Sequence, residues 1–256
     1  MEHWKNQLDA FAEILRQRMN AIYDPGLLFG GTGAAVFFFH YAQYMNKPEY
    51  EDLAMSLLDN KNHYQAHFLR IDYSSGITGT GAGIEFLLQN DFLEGDSDEV
   101  LEDFDKILSR YIVSEEQPTI SHLCGIGRYF ISRVSKNPVI QTAHKISLIQ
   151  IVDTLDNMSL SSKEANSMND LLLRINELNI YPSKVKQMLK RTGESRMRPD
   201  YDSKMQQIKE LYQVVFEQPD SELMERINVG LKGLSGVGLY ILSQIDKKYQ
   251  KWQSLL

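Results

Sequence analysis

The side chains in this sequence that could carry out chemistry are few, and several lie beside short glycine motifs. Asp72 precedes a Gly-Ile-Thr-Gly stretch at 76–79, and His122 and Cys124 belong to a His-Leu-Cys-Gly stretch at 122–125. A carboxylate or an imidazole can act as a general acid or base, and a cysteine thiolate can act as a nucleophile. Asp72, His122 and Cys124 are therefore the side chains beside the motifs whose chemistry could be catalytic.

Two pairs of side chains could contribute metal ligands. His122 and Cys124 are two residues apart, while His63 and His67 are four apart, which is one helical turn. Each pair supplies only two ligands, and a third would have to come from elsewhere, for example from Asp72. We therefore expect no bound metal, and we expect Cys124 to be a small buried side chain.

No cofactor is expected either. The glycine-rich run at 79–83 has no strand before it and no Lys-Ser or Lys-Thr after it, so it does not fit a phosphate-binding loop. Six scattered histidines also give no readable nucleophile, base and acid arrangement.

The composition is that of an ordinary globular protein of 256 residues with a net charge of −7. This acidic balance gives no electrostatic reason to expect nucleic acid or an anionic membrane as a partner. The single cysteine excludes an intramolecular disulfide. The first residues lack the pattern of a signal peptide, and the most apolar segment, at 27–41, is short for a membrane span. We expect a soluble, cytoplasmic protein.

A glycine repeat in the sequence predicts the structural units that must position these side chains. Its copies begin at residues 30, 76, 122 and 233, so that the first three are 46 residues apart, and each copy runs into an apolar stretch. A fixed period of 20–50 residues is typical of a repeated structural unit. The glycines expected to be structural are Gly30, Gly33, Gly76, Gly79, Gly125, Gly233 and Gly236.

Apolar residues recur at three and four positions through nearly the whole chain, which predicts helices and no strands. One helix of each pair begins after a glycine motif, and the other lies between motifs, at 49–60, 98–113 and 139–157. Such helical hairpins either stack into an open solenoid or close into an α/α toroid. The predicted fold is all-α, a single α/α-toroid domain over residues 1–256 with about five to six hairpins and possibly an incomplete ring.

In a closed ring the starts of the inner helices converge on one cavity. Small residues there prevent clashes, and the helix N-termini are expected to offer free N–H groups and positive dipole ends to the cavity. The residues expected to line the cavity are Asp72, Tyr73, Thr78, His122, Cys124, Arg128, Lys232 and Ser235. For Arg128, an ion pair with a neighbouring hairpin is the alternative role.

A further feature is a cluster of basic residues late in the chain. Lys190, Arg191, Arg196 and Arg198 lie within nine residues, and we interpret residues 190–198 as an exposed basic loop.

Three stretches resemble the lanthionine synthetase C-like family. Residues 72–79 (DYSSGITG) are similar to its Asp-x-x-x-Gly-x-x-Gly element, residues 26–33 (GLLFGGTG) to its first repeat, and residues 230–239 (GLKGLSGVGL) to its last. The resemblance implies an α/α toroid and a role in the maturation of ribosomally made peptides, in which the founding enzymes close thioether rings with zinc. It also implies that Asp72 is an acid/base group.

The sequence departs from that family at the metal site and in length. The family's zinc is held by two cysteines and a histidine, whereas this chain has one cysteine and lacks a Cys-His pair. The family's enzymes also have seven hairpins. The resemblance therefore implies a zinc-free protein that binds a precursor peptide or acts as an accessory, with that peptide and possibly a peptide-modifying enzyme as partners.

Two alternatives stay open. The protein could be an active cyclase-like enzyme that modifies a peptide through Asp72, His122 and Cys124. It could also be a more remote α/α-toroid enzyme that acts on carbohydrates, which needs two well-placed carboxylates. Beyond Asp72, the positions beside the motifs supply only Asp24 and Glu85.

Overall fold

The chain is mostly helical over its described residues. A computed structural model describes residues 2–19, 22–59, 70–114, 118–134, 142–159, 161–192, 199–217 and 225–256. About 77% of the described residues are helical and no strand occurs among them, so the predicted all-α class is confirmed. His63, His67 and residues 193–198 of the predicted basic loop lie outside the described residues.

The described helices are twelve α-helices and a final 3₁₀ helix. In chain order they are α1 (Glu2–Gln17), α2 (Gly31–Met45), α3 (Glu49–Leu58), α4 (Ile77–Gln89), α5 (Ser97–Val100), α6 (Glu102–Val113), α7 (Ile120–Val134), α8 (Thr142–Asp156), α9 (Ser162–Glu177), α10 (Pro182–Thr192), α11 (Pro199–Glu217), α12 (Leu234–Ile245) and the 3₁₀ helix (Lys247–Leu255).

The helices group into two compact units. The first unit combines Met1–Leu87 with Tyr201–Leu256, and the second is Leu88–Asp200. The first unit is therefore built from both ends of the sequence, and the second from one continuous segment. The single domain expected from the sequence stays a prediction.

The first unit is organised around α2, which is apolar on nearly all sides. Its residues from Gly31 to Ala42 are buried, because α1, α3 and α12 all contact it. A helix that is apolar all round belongs in an interior. Aromatic rings fill much of this core: Phe37 lies edge-on to Phe11 of α1, and Tyr41 lies edge-on to Tyr50 of α3.

The second unit is a set of amphipathic helices. Helix α7 contacts α8 and α9, and α9 contacts α10. Leu148, Leu171 and Met188 are fully buried between them. Gly127 of α7 lies so close to the Leu171 side chain of α9 that a side chain at residue 127 would displace it. Burying one face of each helix supplies the favourable free energy that holds this unit together.

Three bounds differ from the sequence-based expectation. Lys190 and Arg191, expected in an exposed loop at 190–198, lie in the last turn of α10. The helix predicted over 98–113 is divided at Leu101 into α5 and α6, and the Asp96 carboxylate caps α5 by accepting from the amide of Asp98. The motif at 122–125 lies inside α7, which begins at Ile120. The helix starts early because Thr119 caps it: its hydroxyl accepts from the amide of His122.

No helix among the described residues is long and apolar enough to cross a membrane.

Candidate functional site

Three glycine loops of the first unit end in helices and share one backbone design. We name them loop A (residues 24–33, before α2), loop B (70–79, before α4) and loop C (228–236, before α12). In each, the amide of the first helical residue donates to a carbonyl six or seven residues earlier, which folds the loop back on the helix start. The donor and acceptor pairs are Gly31 and Asp24 (2.7 Å), Ile77 and Arg70 (2.9 Å), and Leu234 and Asn228 (2.9 Å).

A hydroxyl side chain in the first turn of the helix repeats the same fold-back in each loop. The hydroxyl donates to the carbonyl of the next loop residue, in the pairs Thr32 and Pro25, Thr78 and Ile71, and Ser235 and Val229. Thr78 and Ser235, which were expected to line a cavity, are buried. Their hydroxyl groups therefore stabilise loops B and C.

The glycines of these loops are required by close backbone approach. A Cβ at the second glycine of each motif would overlap the carbonyl oxygen of a loop residue, in the pairs Gly33 and Leu27, Gly79 and Tyr73, and Gly236 and Leu231. A Cβ at the first glycine, Gly30, Gly76 or Gly233, would overlap loop carbonyls as well. Only glycine permits this approach, so the glycines have a structural role in the loops.

The helix N-termini do not offer the free N–H groups expected from the sequence. In α2 the amides of Gly31, Thr32 and Gly33 all donate to carbonyls of loop A, and the first three amides of α12 donate to loop C. The expectation is wrong for these two helices because the glycine loops cap them with their own carbonyl groups. An anion could bind there only by displacing those bonds.

The three loops are joined directly to one another, with loop A in the middle. The amide of Leu28 in loop A donates to the carbonyl of Ser74 in loop B at 2.9 Å. On the other side, the amides of Leu231 and Lys232 in loop C donate to loop A, at 3.1 and 2.9 Å. The first and last glycine repeats are therefore neighbours, although about two hundred residues separate them.

Asp72 stands at the position where the other two loops have glycine. Gly26 of loop A lies against the backbone of loop B, and Gly230 of loop C lies against loop A. The Asp72 carboxylate instead folds back, accepting from the amides of Ser74 (3.0 Å) and Ser75 (2.7 Å).

The second carboxylate oxygen of Asp72 pairs with the Arg70 guanidinium at 3.1 Å, and about a quarter of the Asp72 side chain stays exposed (27%). Asp72 is thus a partly exposed, charged group held in a fixed orientation.

Two further expected lining residues belong to the same loops. The hydroxyl of Tyr73 donates to the carbonyl of Leu255 at 3.1 Å, which ties loop B to the final 3₁₀ helix. Lys232 is half-buried in loop C and contacts loop A through its backbone amide. These contacts place Tyr73 and Lys232 beside the loop-to-loop junctions.

His122 and Cys124 lie in the second unit and point in different directions. Both are in the first turns of α7, and residues two apart on a helix do not share a face. The Nδ1 atom of His122 is 2.8 Å from the hydroxyl of Tyr111 on α6. Cys124 is buried as expected, and its burial raises the pKa of the thiol to about 12. The two side chains cannot ligate one metal, and Cys124 stays a neutral thiol at pH 7.

Arg128 forms an ion pair with Asp170 of α9 at 3.0 Å, and only 15% of its side chain is exposed. Arg174 reaches the same carboxylate from α9 itself, at 3.2 Å. The ion pair is the alternative that the sequence offered for Arg128. It connects α7 to α9.

No three His, Cys, Asp or Glu side chains of the described residues are grouped in a way that could hold a metal ion.

A buried polar cluster in the second unit was missed at the sequence level. Asp105 of α6 accepts from Arg133 of α7 at 2.9 Å, from Tyr129 at 2.6 Å and from the Nε2 of His144 of α8 at 3.0 Å. Burial alone would raise the pKa of Asp105, but bonds from His144, Arg133 and Tyr129 outweigh it and lower the pKa. No motif signals this cluster, because its members come from three helices.

The structure thus brings Asp72, Tyr73, Thr78, Lys232 and Ser235 into the first unit, and His122, Cys124 and Arg128 into the second. The expected cavity shared by all of them stays a prediction.

Comparison of the chain with family models, with curated proteins and with solved structures found no match in any of the three.

Proposed function

We propose that this protein is a divergent, zinc-free α/α toroid of the lanthionine synthetase C-like kind. In this proposal it acts in the cytosol and binds a precursor peptide during the maturation of a ribosomally made peptide. The observation that carries the proposal is the chain of contacts from loop B through loop A to loop C. Three loops of one design lie side by side, and the last repeat contacts the first.

This order of contacts supports a ring. In an open solenoid each repeat contacts only its neighbours in sequence, so the first and last copies lie at opposite ends. Here loop C bonds to loop A, and α12 contacts both α1 and α2. Adjacency of the first and last repeats is what closure of a toroid requires.

The surface chemistry around the loops supports a peptide as the ligand. Because the loops use the amides of α2 and α12 internally, recognition at this end falls to side chains. Asp72 and Arg70 provide opposite charges. Two aromatic side chains of the loop A region are exposed, Tyr23 (78%) and Phe29 (40%). Exposed aromatic side chains and charged groups in joined loops suit a peptide, since they can contact its apolar side chains and its polar groups.

The state of Cys124 and His122 favours binding over catalysis. Thiolate activation needs a lowered thiol pKa, whereas burial raises the pKa of Cys124 to about 12. The imidazole of His122 is engaged in a hydrogen bond with the hydroxyl of Tyr111. The carbohydrate alternative gains no support either, because Glu85 is buried and the Asp24 carboxylate accepts from the amide of Gly26 and the hydroxyl of Ser75.

The test is a selection of binders from an mRNA-displayed library of random peptides, followed by fluorescence anisotropy with the selected peptide. We expect Asp72→Asn and Lys232→Ala to weaken binding about tenfold each, which corresponds to about 1.4 kcal/mol. Asp103→Asn on exposed α6 surface is the matched control and should leave affinity unchanged. If neither loop variant weakens binding while both melt like wild type, the loops are not the binding site.

A further inference from the structure

Helix α10 is unusually basic for this chain. Its eleven residues include Lys184, Lys186, Lys190 and Arg191 and no acidic residue, in a protein whose net charge is −7. Its apolar side chains Val185, Met188 and Leu189 are buried. The helix is therefore seated firmly in the second unit, with its charged side turned outward.

Two of the four cations have an internal role. Lys184 and Arg191 both bind the carboxylate of Asp156 on α8, Arg191 at 2.6 Å, and only 17% of the Asp156 side chain is exposed. The bonds from Lys184 and then Arg191 lower the pKa of Asp156. These ion pairs attach α10 to α8, so Lys184 and Arg191 have a structural role within the second unit.

The other two cations of α10 are Lys186 and Lys190. Lys186 and Lys190 are exposed, and neither forms an ion pair with a residue in the described part of the chain. They lie four residues apart and so share one face. Like charges at this spacing destabilise a helix slightly. The helix dipole favours a cation at Lys190 in the last turn, but it gives no reason for Lys186.

Exposed apolar side chains accompany the lysines on the same helical hairpin. Leu173 of α9 and Tyr181, which immediately precedes α10, are both more than a third exposed. A helical hairpin that carries exposed apolar side chains, together with cations that have no ion pair among the described residues, suits a partner segment of mixed acidic and apolar character.

We infer that the outward face of α10, with Lys186 and Lys190 at its centre, is a docking surface for a short acidic segment of a peptide or protein partner. A short segment touches only this basic face. A long polyanion such as nucleic acid, or an anionic membrane, would also meet the field of a chain with a net charge of −7 and be repelled. The inference does not depend on the proposed function, because α10 and the glycine loops belong to different units.

The experiment measures binding of the whole protein to a fluorescein-labelled peptide of about twelve residues that alternates glutamates with a few leucines. A peptide with glutamine in place of glutamate is the probe control. Lys186→Glu combined with Lys190→Glu should weaken binding of the acidic peptide at least tenfold. Lys186→Gln combined with Lys190→Gln should weaken binding of the acidic peptide by a smaller factor. This glutamine variant does not place acidic charge near the helix C-terminus.

The matched protein control is Lys5→Glu combined with Lys209→Glu, which makes the same change in net charge at exposed residues of α1 and α11. We expect this variant to bind the acidic peptide within twofold of wild type. Equal losses in both double variants would show that only overall charge matters and would overturn the inference. Absence of binding to the acidic peptide would overturn it too, as would tighter binding to single-stranded DNA or to phosphatidylserine vesicles.

Discussion

His40 is a buried titratable side chain in the core of the first unit. It lies on α2, stacks on Phe86 and lies edge-on to Tyr249. Burial lowers the pKa of His40 to about 4, although its hydrogen bond to the carbonyl of Val36 acts in the opposite direction. The imidazole is therefore neutral in the folded protein at pH 7, and protonation opposes folding.

Acidification should destabilise the first unit through His40. The unfolded chain binds a proton with an ordinary pKa of 6.5, so between pH 6.5 and 4 it holds more protons at this residue than the folded chain. This single group should remove about 3 kcal/mol from the free energy of unfolding as the pH falls through that window. The loss should be absent above pH 7.

The measurement is urea unfolding followed by tryptophan fluorescence at several pH values, since both tryptophans, Trp4 and Trp252, lie in the first unit. His40→Phe should flatten the pH dependence. Equal slopes in wild type and His40→Phe would contradict the expected role of His40.

Cys124 should be unreactive in the folded protein. With burial raising its pKa to about 12, almost no thiolate exists at pH 8. Labelling by iodoacetamide at pH 8 should therefore be at least a hundredfold slower in the native protein than in the protein unfolded in urea.

The purified protein should also carry no stoichiometric zinc. About one zinc per chain, lost on Cys124→Ala, would contradict this prediction and favour the cyclase alternative.

At the scale of elements, the glycine loops show what the sequence could and could not predict. The spacing of the glycines predicted a repeated helix start, and loops A, B and C have that form. The spacing could not show that loop carbonyls accept from the first helical amides, because that depends on how each loop folds back. The motif at 122–125 differs for a local reason, since Thr119 begins α7 earlier.

The close approach at Gly79 predicts a large and specific cost for any side chain. In Gly79→Ala, the new methyl group would overlap the carbonyl oxygen of Tyr73, so loop B must shift and the free energy of unfolding should fall by about 3 kcal/mol. Gly79→Leu and Gly236→Leu should unfold the protein. Chemical denaturation checks these values.

Gly31→Ala is the matched control because it adds the same methyl group one residue after an essential glycine. The nearest atoms to a Cβ at residue 31 are 3.6 Å away, which is ordinary contact. Alanine also favours helix over glycine. Gly31→Ala should therefore be neutral or slightly stabilising, and an equal loss in Gly31→Ala and Gly79→Ala would contradict the close-approach explanation.

The buried cluster that joins α6, α7 and α8 should be a major source of stability in the second unit. Only 1% of the Arg133 side chain is exposed, so Asp105→Asn leaves a buried guanidinium with less compensating charge. Such a change should cost about 3 kcal/mol. Asp103→Asn, on the same helix but 83% exposed, should cost almost nothing.

Far-UV circular dichroism during urea unfolding at pH 7 compares these two variants. Because the pKa of Asp105 is lowered in the folded state, its contribution is present above the ordinary value of 3.8 and is lost as the pH falls below it. Wild type and Asp105→Asn should therefore converge in stability in strong acid. A constant difference down to pH 2 would contradict the assignment.

At the scale of the whole molecule, the first unit depends on both ends of the sequence. Helix α12 contacts α1 and α2, and Trp4 of α1 lies against Tyr212 of α11, with ring centres 5.7 Å apart. Apolar periodicity predicted that these segments are helices, but it could not predict which helices meet. Similar apolar faces fit many partners, and the pairing is decided by details such as Gly238, which lies against Phe37 and Phe11.

Residues 1–200 should therefore fail to fold their first 87 residues correctly. Without 201–256, α2 loses the cover of α12, loop A loses its bonds from loop C, and the apolar side chains of α1 and α2 meet water. In the 1–200 fragment the emission of Trp4, its only tryptophan, should shift to the red. The change of this emission with urea should no longer show a cooperative unfolding transition. Adding a separate 201–256 peptide should restore both. Gly236→Leu in that peptide is the control and should prevent restoration, because it blocks the close approach in loop C. A native-like Trp4 signal from 1–200 alone would contradict the contact between first and last repeats on which the proposed ring depends.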